Sequence, residues 1–427
     1  MTAEDAMRIA FVDYKLNLQT GGGSNTTIHN LASGLMERGH EVSVITISPE
    51  LNALRPDLPY EVVAEPIYRP EQLPGRLAVV SLLRKWESRV DLFQLESPSL
   101  ILSAGLYRRL GGRAPVVAQL HIYSHFCTNI SRMDATCWQH CSLLKQLRHR
   151  DERLARKVGL APIRIAESVT RRLVANRVDR FIAVSPAMGA IHARNGLDPR
   201  KIVTIFPPVD LTSLLQRTEG AHRPADTTRG RYRIVYVGRL EPAKGVDVLL
   251  EAAAGLDFPF VLDIIGDGHA RANLERLAVD LGLSAQVRFR GWISPADVAQ
   301  CYLGAQLFVH PGRWPDPAPR TIVEAMVLGI PLVVSDAGGA PEMAGDAALR
   351  AIPGDAVDLR GKIEVLRNSP DLAARLAAAG KARSVQFDQQ YALDQFVSLY
   401  RELCPAASRL DISAAESSNA VVDQVTL

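Results

Sequence analysis

Arg239 and Lys244 stand five residues apart in the loop GRLEPAKG, after the apolar run Ile234–Val237 and before an amphipathic helical pattern starting at Val246. Cations at the carboxyl end of a strand, beside a helix N-terminus, suit a diphosphate: a guanidinium chelates its oxygens bidentately and an ammonium acts as a point charge. Ordinary surface cations are the plainer reading of the same residues. Asp316 and Glu324 stand eight apart in LFVHPGRWPDPAPRTIVEAMVLGIPLVVSDAGG, residues 307–339. That stretch reads as a strand, a Pro- and Gly-rich loop, a helix at Thr321–Leu328 and a buried strand at Pro331–Val334. Ligands of open α/β sheets bind beyond the carboxyl ends of such strands, where both acids fall.

A third loop of this kind follows strand Arg8–Asp13. It carries Gly21-Gly22-Gly23 and opens a helix over Ser24–Arg38. The glycines let backbone approach an anionic ligand at the helix N-terminus, or they serve only a tight turn. A dinucleotide fingerprint needs a third glycine where this chain has Thr26, so the pattern is weak evidence for nicotinamide or flavin. Gly238 allows the turn before Arg239, and Gly266-Asp267-Gly268 makes a second tight turn after strand Val261–Ile265. His121 ends strand Val116–His121 on the ligand side, a position that a structural histidine fits equally well.

Further strands at Glu41–Ile47, Leu92–Glu96, Phe181–Val184 and Val287–Arg290, separated by helical patterns, predict parallel sheets covered on both faces. At 427 residues, with 47% hydrophobic and 22% charged composition, the chain is globular and too long for one core. Residues 1–208 read as a first domain and 209–232 as a linker, since the stretch from Gln216 to Arg231 is polar and aperiodic. Residues 233–385 read as a second domain. Residues 386–404 form a last helix with Ala392, Phe396, Leu399 and Tyr400 on one face, and 405–427 a frayed tail.

The net charge is only +3, which together with the absence of a long like-charge run argues against nucleic acid as a partner. No apolar stretch reaches about 18 residues, and the N-terminus carries acids rather than a signal peptide's basic flank, so a cytoplasmic protein is expected. Cys127, Cys137 and Cys141 read as buried free thiols ahead of half a zinc site. Residues 145–180 hold eleven Lys or Arg against four Asp or Glu. This reads either as a face for peripheral contact with an anionic membrane at its inner side or as a solvated helix laced with ion pairs.

With these motifs taken in order, the chain resembles the retaining glycosyltransferases of family 4. The resemblance rests on GGGSNTTIHNLASGLMERGHEVSVIT, QLHIYSHFC, RFIAVSPAM, IFPPVDL, VYVGRLEPAKGVDVLLEA, IIGDGHARANLERLA, VRFRGWIS and RWPDPAPRTIVEAMVLGIPLVVSDAGGAPEM. It implies the α/β GT-B fold, two Rossmann-like doubly wound domains facing across a cleft. It also implies a nucleotide-diphosphate sugar as donor, a glycan or lipid-linked acceptor, retention of configuration, and no metal or other cofactor. By position, Arg239 and Lys244 would hold the diphosphate and Glu324 the ribose hydroxyls. Asp316 would contact the donor sugar, where the family has the first Glu of an E-x7-E motif, and His121 would lie beside the transferred sugar. Gly22, Gly23, Gly238 and Gly266 complete the expected donor-binding set.

Three features depart from the family pattern: Asp316 is one methylene short, Pro317–Arg320 replaces an aromatic and glycine pair, and FPPVDL lacks the usual Asn and Gly. They read as changes of donor or acceptor, with loss of activity as the competing reading. A nucleotide-sugar-binding homologue without turnover, an epimerase or phosphorylase of the same architecture, and a hydrolase using Asp316 as nucleophile or general acid are the alternatives. Replacing Lys244 by alanine is expected to abolish transfer and leave the fold intact.

Overall fold

The protein is described by a computed structural model covering residues 6–18, 23–48, 57–123, 172–218, 230–294 and 297–405. Gly22, the three cysteines at 127, 137 and 141, most of the basic segment and the tail after 405 lie outside the described residues. The chain divides into two compact units, the first comprising residues up to Val184, Met188–Pro208 and Gln389 onward, the second Ser185–Ala187 and Val209–Asp388.

Unit 1 runs β1 (Arg8–Asp13), α1 (Gly23–Glu37), β2 (Glu41–Thr46), β3 (Glu61–Ala64), α2 (Leu73–Trp86), β4 (Leu92–Leu95), α3 (Ile101–Arg109), β5 (Val116–Leu120), β6 (Arg180–Ala183), α4 (Pro186–Arg194) and β7 (Ile202–Thr204). Its seven strands lie in the order β3-β2-β1-β4-β5-β6-β7, each neighbouring pair parallel. Strands β4 and β5 are buried at every residue, as expected where helices cover both faces, and each holds one glutamine, Gln94 and Gln119, among its apolar residues.

Unit 2 begins with α5 (Leu211–Gln216), a helix inside the stretch expected as linker. Asp210 caps it by accepting from Ser213 N at 2.8 Å. There follow β8 (Tyr232–Val237), α6 (Val246–Ala254), β9 (Phe260–Ile265), α7 (Arg271–Asp280), β10 (Val287–Gly291), α8 (Val298–Tyr302), β11 (Leu307–His310), α9 (Arg320–Val327), β12 (Leu332–Ser335), α10 (Gly339–Ala344), β13 (Ala348–Ala351), α11 (Ala356–Asn368) and α12 (Pro370–Ser384). The six strands are parallel in the order β10-β9-β8-β11-β12-β13. In both sheets the order of strands thus reverses beside the first strand, between β1 and β4 and between β8 and β11. The crevice at such a switch point is where open α/β sheets bind ligands.

The last helix, α13 (Gln389–Leu403), belongs to unit 1. Its Leu393, Phe396 and Tyr400 join Ile28, Leu31, Ala32 and Leu35 of α1 in one apolar cluster. Gly34 of α1 admits the Leu393 side chain, since a Cβ there would lie 2.4 Å from Leu393 Cδ1.

Candidate functional site

In unit 2 the loops after β8 and β11 meet at the switch point. Gly245, at φ +69°, starts α6 in a left-handed conformation, and a Cβ on it would lie 2.1 Å from the Pro311 carbonyl oxygen. Only glycine lets the two backbones come that close. The contact is fastened by Arg313 N donating to Ala243 O at 3.0 Å and by an Arg313–Asp247 ion pair at 2.7 Å. On the other side Gly339 N donates to Asp316 O at 2.8 Å. These clamps set Lys244 against Asp316, and its ammonium donates to Asp316 Oδ2.

The pair is nearly sealed, with side-chain exposures of 14% for Lys244 and 9% for Asp316. Burial would push the Asp316 carboxyl up, but the Lys244 ammonium overrides that and holds it below the usual carboxylate range. His310, at the end of β11, puts Nε2 3.7 Å from the same Oδ2. Neither of its ring nitrogens has a hydrogen-bond partner among the described residues, and burial lowers its pKa to about 4. The buried Tyr236 of β8 donates its hydroxyl to Arg239 O at 2.9 Å, fixing the backbone from which Arg239 projects. The Arg239 guanidinium is 66% exposed and pairs with Glu241 at 2.6 Å. One turn into α9, Glu324 accepts a hydrogen bond from Tyr302 of α8 at 2.8 Å.

The structure therefore joins Lys244 directly to Asp316, while Arg239 pairs with Glu241. It places Glu324 on the neighbouring helix under a tyrosine that the sequence did not single out. His310 was likewise missed, although its place at the end of a buried strand was the available signal. Gly238 N donates to Ile265 O at 3.0 Å, and a Cβ on Gly266, at φ +133°, would lie 1.9 Å from Gly238 O. Gly266 is thus required by loop packing. Gly266→Ala is expected to cost about 3 kcal/mol in a denaturant titration through forbidden backbone and overlap.

Unit 1 gathers a second cluster at its own switch point. His121, one residue beyond β5, places Nε2 2.7 Å from Glu96 Oε2, just beyond β4. Asp13 ends β1, and burial together with the Glu96 charge raises its pKa to about 7, despite a hydrogen bond from Tyr14 N. Gly23 is the first residue of α1. Among the described residues, no three His, Cys, Asp or Glu are grouped to hold a metal ion.

The family described as Glycosyltransferase Family 4 matches residues 21–213, and Glycosyl transferases group 1 matches residues 220–383. D-inositol 3-phosphate glycosyltransferase of Rhodococcus erythropolis is 30% identical over 264 residues, covering 59% of this chain and 57% of that protein, so the match spans little more than half of the relative. MMP alpha-(1->4)-mannosyltransferase of Mycolicibacterium hassiacum is 25% identical over 434 residues, 93% of this chain and 98% of that protein. Among solved structures, Anabaena Alr3699/HepE in complex with UDP superposes with a TM-score of 0.72 at 20% identity, covering 93% of this chain and 100% of that one. Two parallel doubly wound sheets, matched in order by these two families, carry the loops just described at their switch points, and the chain belongs to the family 4-like glycosyltransferases of GT-B fold.

Proposed function

We propose that the protein transfers a sugar from a nucleotide-diphosphate sugar to a hydroxyl of a glycan or lipid-linked acceptor, with retention at the anomeric carbon. The buried Lys244 at the β8/β11 switch point carries this reading, because a sealed cation beside a helix start is where a diphosphate leaving group gains most from electrostatic stabilisation. Arg239, exposed at the same loop, adds a second cation. Asp316 exchanges its bond to Lys244 for the donor sugar's hydroxyls when the diphosphate arrives, and Glu324 takes the ribose hydroxyls. His121 of unit 1 acts beside the transferred sugar. In the reacting step the acceptor oxygen bonds to C1, the C1–phosphate oxygen bond breaks, and the acceptor proton passes to a phosphate oxygen of the departing nucleotide.

The UDP in the Anabaena structure and the mannosyl transfer named for the Mycolicibacterium relative support a nucleotide-sugar donor. Protein cations supply the charge in this scheme, so activity is expected to survive a chelator. No helix among the described residues is long and apolar enough to cross a membrane, and the basic stretch 145–180 would serve peripheral contact with a lipid-linked acceptor's bilayer.

A thermal-shift screen of UDP- and GDP-sugars tests the donor site. A donor at a hundred times its dissociation constant adds about 2.7 kcal/mol of stability. The anomeric configuration of the product, read by NMR, tests retention. No shift with any nucleotide sugar would remove the proposal, and a shift without turnover across lipid-linked and soluble acceptors would leave a binding homologue.

A further inference from the structure

Behind His121 lies a chain of buried polar side chains that ordinary packing does not call for. Glu96 is 3% exposed and Gln94 and Gln119 are fully buried, at positions where apolar side chains would cost nothing to desolvate. Tyr400 of α13 donates its hydroxyl to Gln94 Oε1. The Gln94 amide donates to Gln119 Oε1 at 2.9 Å and to Glu96 Oε1 at 2.7 Å. The other Glu96 oxygen faces His121 Nε2 at 2.7 Å. Gln119 Nε2 is left sealed without a partner among the described residues, a desolvation penalty that a purely structural core would have no reason to carry.

An ionised carboxylate only accepts. With one oxygen occupied by an amide that is itself oriented by two partners, Glu96 presents its second oxygen to the imidazole in one fixed direction. His121 must then carry a proton on Nε2, and Nδ1 is the ring atom left for chemistry. We propose that Glu96 is a positioning residue: held by Gln94, Gln119 and Tyr400, it fixes His121 in the Nε2–H form and commits Nδ1 to the reacting groups. This goes beyond the transfer reaction proposed above and rests on it only for the identity of the substrate that Nδ1 meets. The wire also makes the last helix part of the apparatus, since its Tyr400 is the outermost link.

The spectroscopic part of the test needs no substrate. In the full-length protein labelled with 15N-histidine, long-range proton–nitrogen correlation spectra report which ring nitrogen carries the proton, and His121→Gln identifies the signal. The wild type is expected to show neutral His121 as a single Nε2–H tautomer. In Glu96→Gln the single carbonyl oxygen accepts from either the Gln94 amide or the imidazole, and in the first case the new NH2 donates to Nε2 and favours Nδ1–H, so the two tautomers are expected to mix. Tyr400→Phe keeps the ring in the core and is expected to mix them less.

An Nδ1–H tautomer in the wild type, or a single unchanged Nε2–H signal in a folded Glu96→Gln protein, would overturn the proposal. Once a donor is known, Glu96→Gln is expected to lower kcat at least about tenfold while leaving the donor dissociation constant within about twofold. Equal weakening of both would mark Glu96 as merely structural. If Glu96→Gln does not fold, the wild-type and Tyr400→Phe spectra decide. Absence of transfer by the wild type with any donor would refute the proposed function while the tautomer result stands by itself.

Discussion

Lys244→Ala is expected to reduce transfer by about a thousandfold or more and to cost about 3–5 kcal/mol of unit 2 stability. The sequence alone suggested an intact fold, because it showed Lys244 as a loop cation waiting for a ligand. The structure revises this: the ammonium is the counter-charge of a buried carboxylate. Removing it leaves Asp316 sealed without its main counter-charge, so that burial pushes the carboxyl up, and His310, neutral with its pKa near 4, supplies no replacement charge at pH 7. The double variant Lys244→Ala/Asp316→Asn discharges the carboxylate. It is expected to recover most of the lost stability and none of the activity. Denaturant titrations of the wild type, Lys244→Ala, Asp316→Asn and the double variant give the coupling energy, and turnover gives the functional loss. Full turnover by Lys244→Ala would mean that the diphosphate is held elsewhere. Unchanged stability would mean that Asp316 swings out to water.

Acid sensitivity is the second large effect. His192, in α4, is fully buried, donates Nε2–H to Ile122 O at 3.3 Å and stacks on Tyr123 with ring centroids 6.1 Å apart. Burial lowers its pKa to about 4, as it does for His310. Each is neutral when folded, whereas the unfolded chain binds a proton near 6.5. The stability tied to each is therefore present above pH 6.5 and lost as pH falls toward 4, to the extent of about 3 kcal/mol per histidine. Asp13 runs the other way. With its folded pKa raised to about 7, it is protonated in the folded chain while the unfolded carboxyl ionises, so stability is lost as pH rises from 3.8 to 7. His192→Gln, compared with the wild type at matched pH, is expected to gain about 3 kcal/mol between pH 6.5 and 4, and Asp13→Asn is expected to gain on going from pH 4 to 7. A difference between His192→Gln and the wild type that stays constant over pH 4–6.5 would show that His192 protonates freely in the folded state.

Much of this architecture was readable in advance because strand and helix periodicities are local. The alternation of apolar runs with amphipathic patterns gave parallel sheets, and a helix that starts at Gln389 was recognisable from Ala392, Phe396, Leu399 and Tyr400. Strands β3 and β13 were not singled out. At four residues each, with partly exposed residues among them, they offer too little pattern to stand out from loops. The site was legible only by type. Lys244 and Asp316 were both chosen, yet their bond spans 72 positions and depends on Gly245 meeting Pro311, which no spacing encodes. Tyr400 was read as apolar core, correctly for its ring. Its hydroxyl contact with Gln94 is invisible because the two residues lie more than three hundred positions apart. Glu96 and Gln94 were passed over for the same reason: a polar residue within or just beyond a strand looks like the strand's end.

Apart from Ser185–Ala187, unit 2 is spelled out inside the gene segment for unit 1, between Pro208 and Gln389. A ribosome therefore releases every strand of the first sheet, and then the whole second unit, before the helix that closes the first apolar cluster has left the exit tunnel. The earlier domain in order of synthesis is the later one to be finished, and the His121 centre is assembled only once translation has passed Tyr400. A nascent chain stalled short of that point would hold a completed second unit and an unfinished first one, and it is the unfinished one that a chaperone would have to cover.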